Sequence, residues 1–178
     1  MSVRLIAVCT LLAVSPSLPL SAQQAADPRD GSSVDAILAA LYDVISGDSG
    51  VARDWDRFRS LFAPGARLIP VGQRQGGAVG ARVLTPEEYI QASGPYLVNN
   101  GFHEREVARR SESYGQIVHA FSTYESRHKA GDPLPFMRGI NSIQLFYDGT
   151  RWWIETVMWW GETPATPLPP RYLESERH

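Results

Sequence analysis

RGINSIQLFYDGTRWWIETVMWW, residues 138–160, holds two β-rich runs on either side of Asp148-Gly149. A two-residue Asp-Gly linker between such runs signals a hairpin, because the favoured tight turn needs positive φ at both central positions. With that turn, Leu145 lies opposite Trp152, Ile143 opposite Ile154, Asn141 opposite Thr156 and Gly139 opposite Met158, all on one face. Phe146, Gln144 with Trp153, Ser142 with Glu155, Ile140 with Val157, and Arg138 with Trp159 share the other. Neither face is polar throughout. The ribbon therefore needs helices over the first face and another sheet or a second copy of the chain over the second. Arg138 over Trp159 is expected as a stacked cation–π pair of the outer face.

The remaining length is that of one domain: 178 residues, 43% hydrophobic and 20% charged. Residues 1–22 stand apart from it. Arg4 precedes an apolar run at 5–14 and a helix-breaking segment of small residues at 15–22, the pattern of a cleaved secretory signal peptide. That run is far short of the ~20 residues a membrane-spanning helix needs. The chain is thus expected to be exported, to the periplasm or beyond, with no membrane span. Cys9 is the only cysteine and leaves with the signal, so the mature fold rests on packing without disulfide or thiol chemistry. The formal net charge is −2 with no basic block, which argues against nucleic acid as a partner.

Residues 23–31 read as a disordered lead-in and 32–162 as the folded domain. Ser32 caps a helix with the stripe Val34, Ile37, Leu38, Leu41, Tyr42 and Ile45, which Gly47 ends. Asp54 caps a second, shorter stripe of Trp55, Phe58, Leu61 and Phe62 that stops at Pro64-Gly65. A short β run at 66–71 and a Gly-rich loop at 72–80 follow. Thr85-Pro86-Glu87-Glu88 then opens a helix carrying Tyr89 and Ile90, which Gly94-Pro95 closes. From residue 102 the period becomes two. Strands at 102–113 and 117–128 flank Tyr114-Gly115-Gln116, and a three-residue turn is preferred there because it sets Arg105 opposite Glu125. It places Glu104, Glu106, Ala108, Ala120, Ser122, Tyr124 and Ser126 on one face, with Glu106 facing Tyr124. Arg105, Val107, Arg109, His119, Phe121, Thr123 and Glu125 take the other. Residues 163–178 form a Pro-rich, charged tail expected to stay unpacked.

Helices first, then a long antiparallel sheet ending in a Trp-rich strand: over residues 34–160 the chain resembles the nuclear transport factor-2-like superfamily and its SnoaL-like branch. The resemblance is carried by the helix pair with Trp55 and Phe58, by GQIVHAFSTYESR at 115–127, and above all by RGINSIQLFYDGTRWWIE at 138–155. It implies an α+β cone in which helices and the concave face of a curved sheet enclose a pocket, with the outer face making a homodimer through Phe121, Phe146, Trp153 and Trp159. It does not imply one activity, because isomerases, dehydratases, cyclases and binding modules share the fold. The acid–tyrosine and His–Asp patterns of its enzymatic branches are not reproduced: no Asp falls mid-strand, and His119 is assigned outward.

Among pocket candidates, Glu106 beside Tyr124 is the pair best suited to chemistry, since an apolar surround disfavours the ionised carboxylate and makes it a base. Solvation or pairing with an arginine is the competing structural role. Glu104 could share the site. Asn141 opposite Thr156 is a polar pair in an apolar face, suited to orient a ligand or to satisfy backbone. Ser122, Trp55 and Tyr89 complete the lining. No metal or other cofactor is expected, because His103, His119 and His128 have no ligand spacing. The leading expectation is a binding module for a small hydrophobic or amphipathic molecule. The alternatives are a SnoaL-like lyase or isomerase with Glu106 as base, and a dimeric scaffold for a protein partner.

Overall fold

The computed structural model describes residues 27–174. The expected signal peptide at 1–22 lies outside the described residues. α1 (Val34–Ile45) starts at Ser33, whose Oγ accepts from the Ala36 amide at 3.0 Å, one residue later than the cap expected at Ser32. α2 (Trp55–Ser60) starts where Asp54 accepts from the Arg57 amide at 2.9 Å. α3 (Pro86–Asn100) opens on the Thr85–Glu88 capping box and continues through Pro95 instead of ending at Gly94-Pro95. A proline removes one intrahelical bond but does not forbid the next turn. Here buried Gly94 and Leu97 anchor that turn, and a Cβ at Gly94 would come within 3.2 Å of the Trp55 ring.

Six strands form one sheet: β1 (Phe62–Gln73), β2 (Val79–Ala81), β3 (His103–Tyr114), β4 (Ile117–Arg127), β5 (Met137–Tyr147) and β6 (Trp152–Gly161), in the order β2-β1-β6-β5-β4-β3. β1 is longer than the expected run at 66–71 because it pairs in parallel with β6, and β2 overlaps the end of the loop expected at 72–80. Ile37, Leu38, Leu41, Phe58, Leu61, Ile143, Leu145 and Ile154 bring helices and sheet into one buried core. The architecture is the expected α+β one: few helices on an unclosed curved sheet.

The ribbon of β5 and β6 forms, but not with the expected register. Tyr147 pairs with Trp152 across a four-residue loop, and only Gly149 has positive φ. Asp148 keeps an ordinary φ and uses its carboxylate instead, accepting from the amides of Thr150 at 2.7 Å and Arg151 at 2.9 Å and from Trp153 Nε1 at 2.7 Å. A bulge then inserts Glu155, so Leu145 pairs with Ile154 but Gln144 with Thr156. One extra residue turns every later side chain to the opposite face. Ile154 stays inside, as expected, while Val157 and Trp159 come inside and Thr156 and Met158 go out. Trp159 therefore does not belong to the outer face, and it stacks edge-on against Tyr89. Arg138 pairs with Glu162 at 2.8 Å rather than with Trp159.

A second bulge does the same to β3. Arg105 lies opposite Glu125 and Glu106 opposite Tyr124, as expected, but Tyr114 pairs with Ile117 across a two-residue turn at Gly115. The two registers are reconciled by the extra residue Val107. Beyond it Ala108 faces out opposite Thr123, and Arg109 comes inward opposite Ser122.

Both expected disordered ends are packed where described. Asp30, only 7% exposed, takes two hydrogen bonds from Arg57 at 2.8 and 3.0 Å. Residues 163–174 fold back over the outer face of the sheet: the Tyr172 ring rests 5.4 Å from Phe121, Thr123 Oγ1 donates to the Tyr172 carbonyl, and Trp160 Nε1 donates to Thr166 Oγ1. Phe121 is thus covered by the chain's own tail, while Phe146 and Trp153 remain outward as expected. Asp148 and the guanidinium of Arg151, 4.2 Å over its ring, hold Trp153.

Candidate functional site

Between α1, α2, α3 and the concave face lies a cavity of about 360 Å³, at the lower end of the roughly 300–1,000 Å³ common for ligand pockets. Its walls are apolar: Leu41, Ile45, Phe58, Leu68, Leu97, Phe102, Val157 and Trp159. Its rim carries Tyr96 and Met137, both substantially exposed. Its lining also includes residues with polar side chains: Glu104, Asn141, Tyr89 and Tyr124, with Ser93 and Tyr96 on α3.

Glu104 is the ionisable carboxyl of the cavity. Its Oε2 accepts from Ser126 Oγ at 2.8 Å, and Ser46 Oγ ties its backbone to α1, accepting from the Glu104 N–H at 2.9 Å while donating to the Tyr42 carbonyl at 2.6 Å. Burial pushes its carboxyl up to about 7; Ser126 and Asn141 pull it back only in part. Its remaining accessible surface faces two hollows, the apolar cavity and a polar groove lined by His103, Arg105, Arg127 and Asp132.

Tyr124 is 2% exposed, and its hydroxyl has no hydrogen-bond partner. That oxygen occupies the space a side chain at Gly139 would fill, 2.6 Å from where its Cβ would lie, so the glycine makes room for the phenol. Burial, with the nearby charge of Glu104 adding to it, pushes the Tyr124 phenol up; the same two causes act on Tyr89. Both are therefore donors at any ordinary pH.

The sequence-derived candidates separate into two groups. Glu104, Tyr124, Asn141 and Tyr89 converge on the cavity. Glu106, the preferred base, does not line it, although it lies opposite Tyr124 in the ladder. Arg109 holds it through Nε at 2.8 Å and Nη2 at 2.6 Å, and Ser122 donates to it at 2.5 Å. Ser122 is fully buried in that polar cluster, 2.6 Å from the Tyr42 hydroxyl. Thr156 is turned outward by the bulge at Glu155 and faces Gln144, not Asn141. Trp55 packs on Phe58 and under Gly94, behind the cavity wall.

Sequence reasoning missed two functional neighbours. Tyr42 looks like any core residue of the α1 stripe, yet its hydroxyl joins Ser122 and Asn141. Trp159 enters the wall only because of the bulge. The three histidines considered as ligands are apart: His103 bonds Asp48 at 2.9 Å, His119 bonds Ser142 at 2.9 Å, and His128 stacks on Phe136. Among the described residues, no cluster of three His, Cys, Asp or Glu side chains is placed to hold a metal ion. No helix among them is long and apolar enough to cross a membrane.

Comparison with solved structures identifies the fold. A protein of unknown function with a cystatin-like fold from Nostoc punctiforme matches at TM-score 0.55 and 12% identity, covering 76% of this chain and 92% of that one. LinA matches at TM-score 0.54 and 9% identity, covering 78% and 89%. A protein from Kribbella flavida matches at TM-score 0.52 and 10% identity, covering 74% and 92%. The chain has a cystatin-like α+β fold. No sequence-family model matches it, and no curated protein does.

Proposed function

We propose that this chain is an exported binding module for a small, mostly apolar molecule that carries one oxygen function to Glu104 and Tyr124. What supports the reading is an apolar cavity that holds the only partly compensated Glu104 carboxyl and is walled by Tyr124, whose unpartnered hydroxyl is tucked against Gly139 and becomes a donor to a ligand when the ring shifts. An unmet buried donor costs roughly 1–3 kcal/mol, which a ligand oxygen would recover. Screening small ketones, phenols and alcohols by thermal shift tests it: a ligand should raise Tm, and Tyr124→Phe should remove most of that rise. A complete screen with no stabilising compound counts against the reading.

Proton transfer, as in a lyase or isomerase, is the second reading, with Glu104 as base in place of Glu106 and Tyr124 steadying the developing oxyanion. It is favoured by a carboxyl that burial pushes up to about 7 beside an apolar cavity. Catalysis predicts that Glu104→Gln abolishes turnover of a bound ketone while the fold persists. Export rests on the composition of residues 1–22, and N-terminal sequencing of protein recovered outside the cytoplasm checks it. Homodimerisation would use the outer-face area beside the tail, around Phe146 and Trp153. Light scattering of the wild type and Phe146→Glu checks that.

A further inference from the structure

The hydrogen bonds behind the cavity run in one direction. Glu106 takes the Arg109 N–H groups on both oxygens, and Asp35 of α1 holds the same guanidinium at 2.6 Å. A carboxylate so engaged only accepts, so Ser122 donates to its Oε1 across 2.5 Å. With that proton committed, Ser122 receives the Tyr42 hydroxyl proton across 2.6 Å. The Tyr42 oxygen is then an acceptor, and Asn141 Nδ2 meets it at 3.1 Å. An Asn amide has two nearly isosteric orientations, and the one selected depends on its partners. Here the partners leave one choice, with nitrogen toward Tyr42. Asn141 and Glu104 line the same cavity, and the amide favours the charged form of that carboxyl.

We infer that Tyr42, Ser122 and Glu106 are positioning residues of the cavity, a one-way hydrogen-bond line that holds the Asn141 amide nitrogen toward Glu104. The Arg109 ion pair, which lies outside the cavity, thereby sets the orientation of a polar group inside it. This rests on Glu104 being the group that meets the ligand, and it gives the buried polar cluster a role in tuning that group. Three phenols share a lining with Glu104 and feel its charge: Tyr89 from α3 and Tyr124 from β4 in the cavity, and Tyr42 from α1 in the groove. Ser126 donates to it from β4, and Asn141 acts from β5. On its own strand Arg105 is turned to Glu125, while His103 and Arg127 line the groove on its other side.

The test is the titration of the Glu104 side chain in the ligand-free full chain, followed by carboxyl carbon NMR and assigned with Glu104→Gln. Asn141→Leu removes the donor and should move the midpoint up. Glu106→Gln separates two physical accounts. Loss of a negative charge by itself favours ionisation of Glu104 and lowers the midpoint. A glutamine that donates to Ser122 reverses the line, turns the Asn141 oxygen toward Glu104 and raises it. The inference requires an upward shift of about half a unit or more in Glu106→Gln. Tyr42→Phe, which changes no charge, should shift the midpoint in the same direction. Ser122→Ala should do likewise, and serves if Glu106→Gln does not fold. A downward or absent shift in the folded variants overturns the positioning role. Because no ligand is used, an unsuccessful ligand screen would bear on the binding reading and leave this result intact.

Discussion

Two glutamates two residues apart on β3 have opposite fates. Glu106 meets a guanidinium that grips both its oxygens, with Asp35, Ser122 and Tyr42 ranged behind. Glu104 meets phenols, a serine and an apolar hollow, and no cation is among the groups that shift it. The difference comes from Val107. The extra residue turns Arg109 inward beside Glu106 and leaves Glu104 without a counterion. The lesson is that neighbours, not place in the ladder, decide which carboxyl of a pair is left least compensated.

The largest expected effect breaks this comparison at Glu104. A carboxyl raised by burial makes the folded state bind more protons than the unfolded one, so its contribution to stability is present in acid and is lost as pH climbs through about 7. Glu104→Gln, which carries no charge to bury, should therefore gain up to about 3 kcal/mol over the wild type at pH 8 and almost nothing at pH 4. Denaturant unfolding at the two pH values checks it, and equal effects at both would refute the assignment. Somewhat smaller is the reverse experiment at the other glutamate. Arg109→Met should cost roughly 2–3 kcal/mol by stranding a partly buried carboxylate, read by denaturant unfolding at neutral pH. The smallest effect sharpens the comparison from the outer side of the same strands. Truncation after Glu162 uncovers Phe121 and Thr123 and should lower stability by about 1–2 kcal/mol with little change in the Glu104 titration. A shift there would mean that the tail reaches the cavity after all.

Much of the cavity was legible before any coordinates. The alternation of 117–127 put Ser122, Tyr124 and Ser126 on one face, and the capping residues Asp54 and Thr85 located two helices. The parity of β5 brought Asn141 and Ile143 inside together. Glu106 was preferred over Glu104 because both share one parity and only pairing distinguishes them. Unbroken alternation assigns Arg109 to the opposite face, so the sequence does not show the partner that engages Glu106.

The residues by themselves determined the three helices, the starts of α2 and α3, the main strands and the inward parity of β4 and β5, because periodicity and capping are local properties of a few neighbouring side chains. Tertiary structure alone decided the two bulges, the seating of the tail on Phe121 and the choice between the glutamates. Each of those depends on how a strand must bend to stay paired while it curves around the helices. A single inserted residue relieves that strain and exchanges the faces of everything beyond it, and no local pattern records where it occurs.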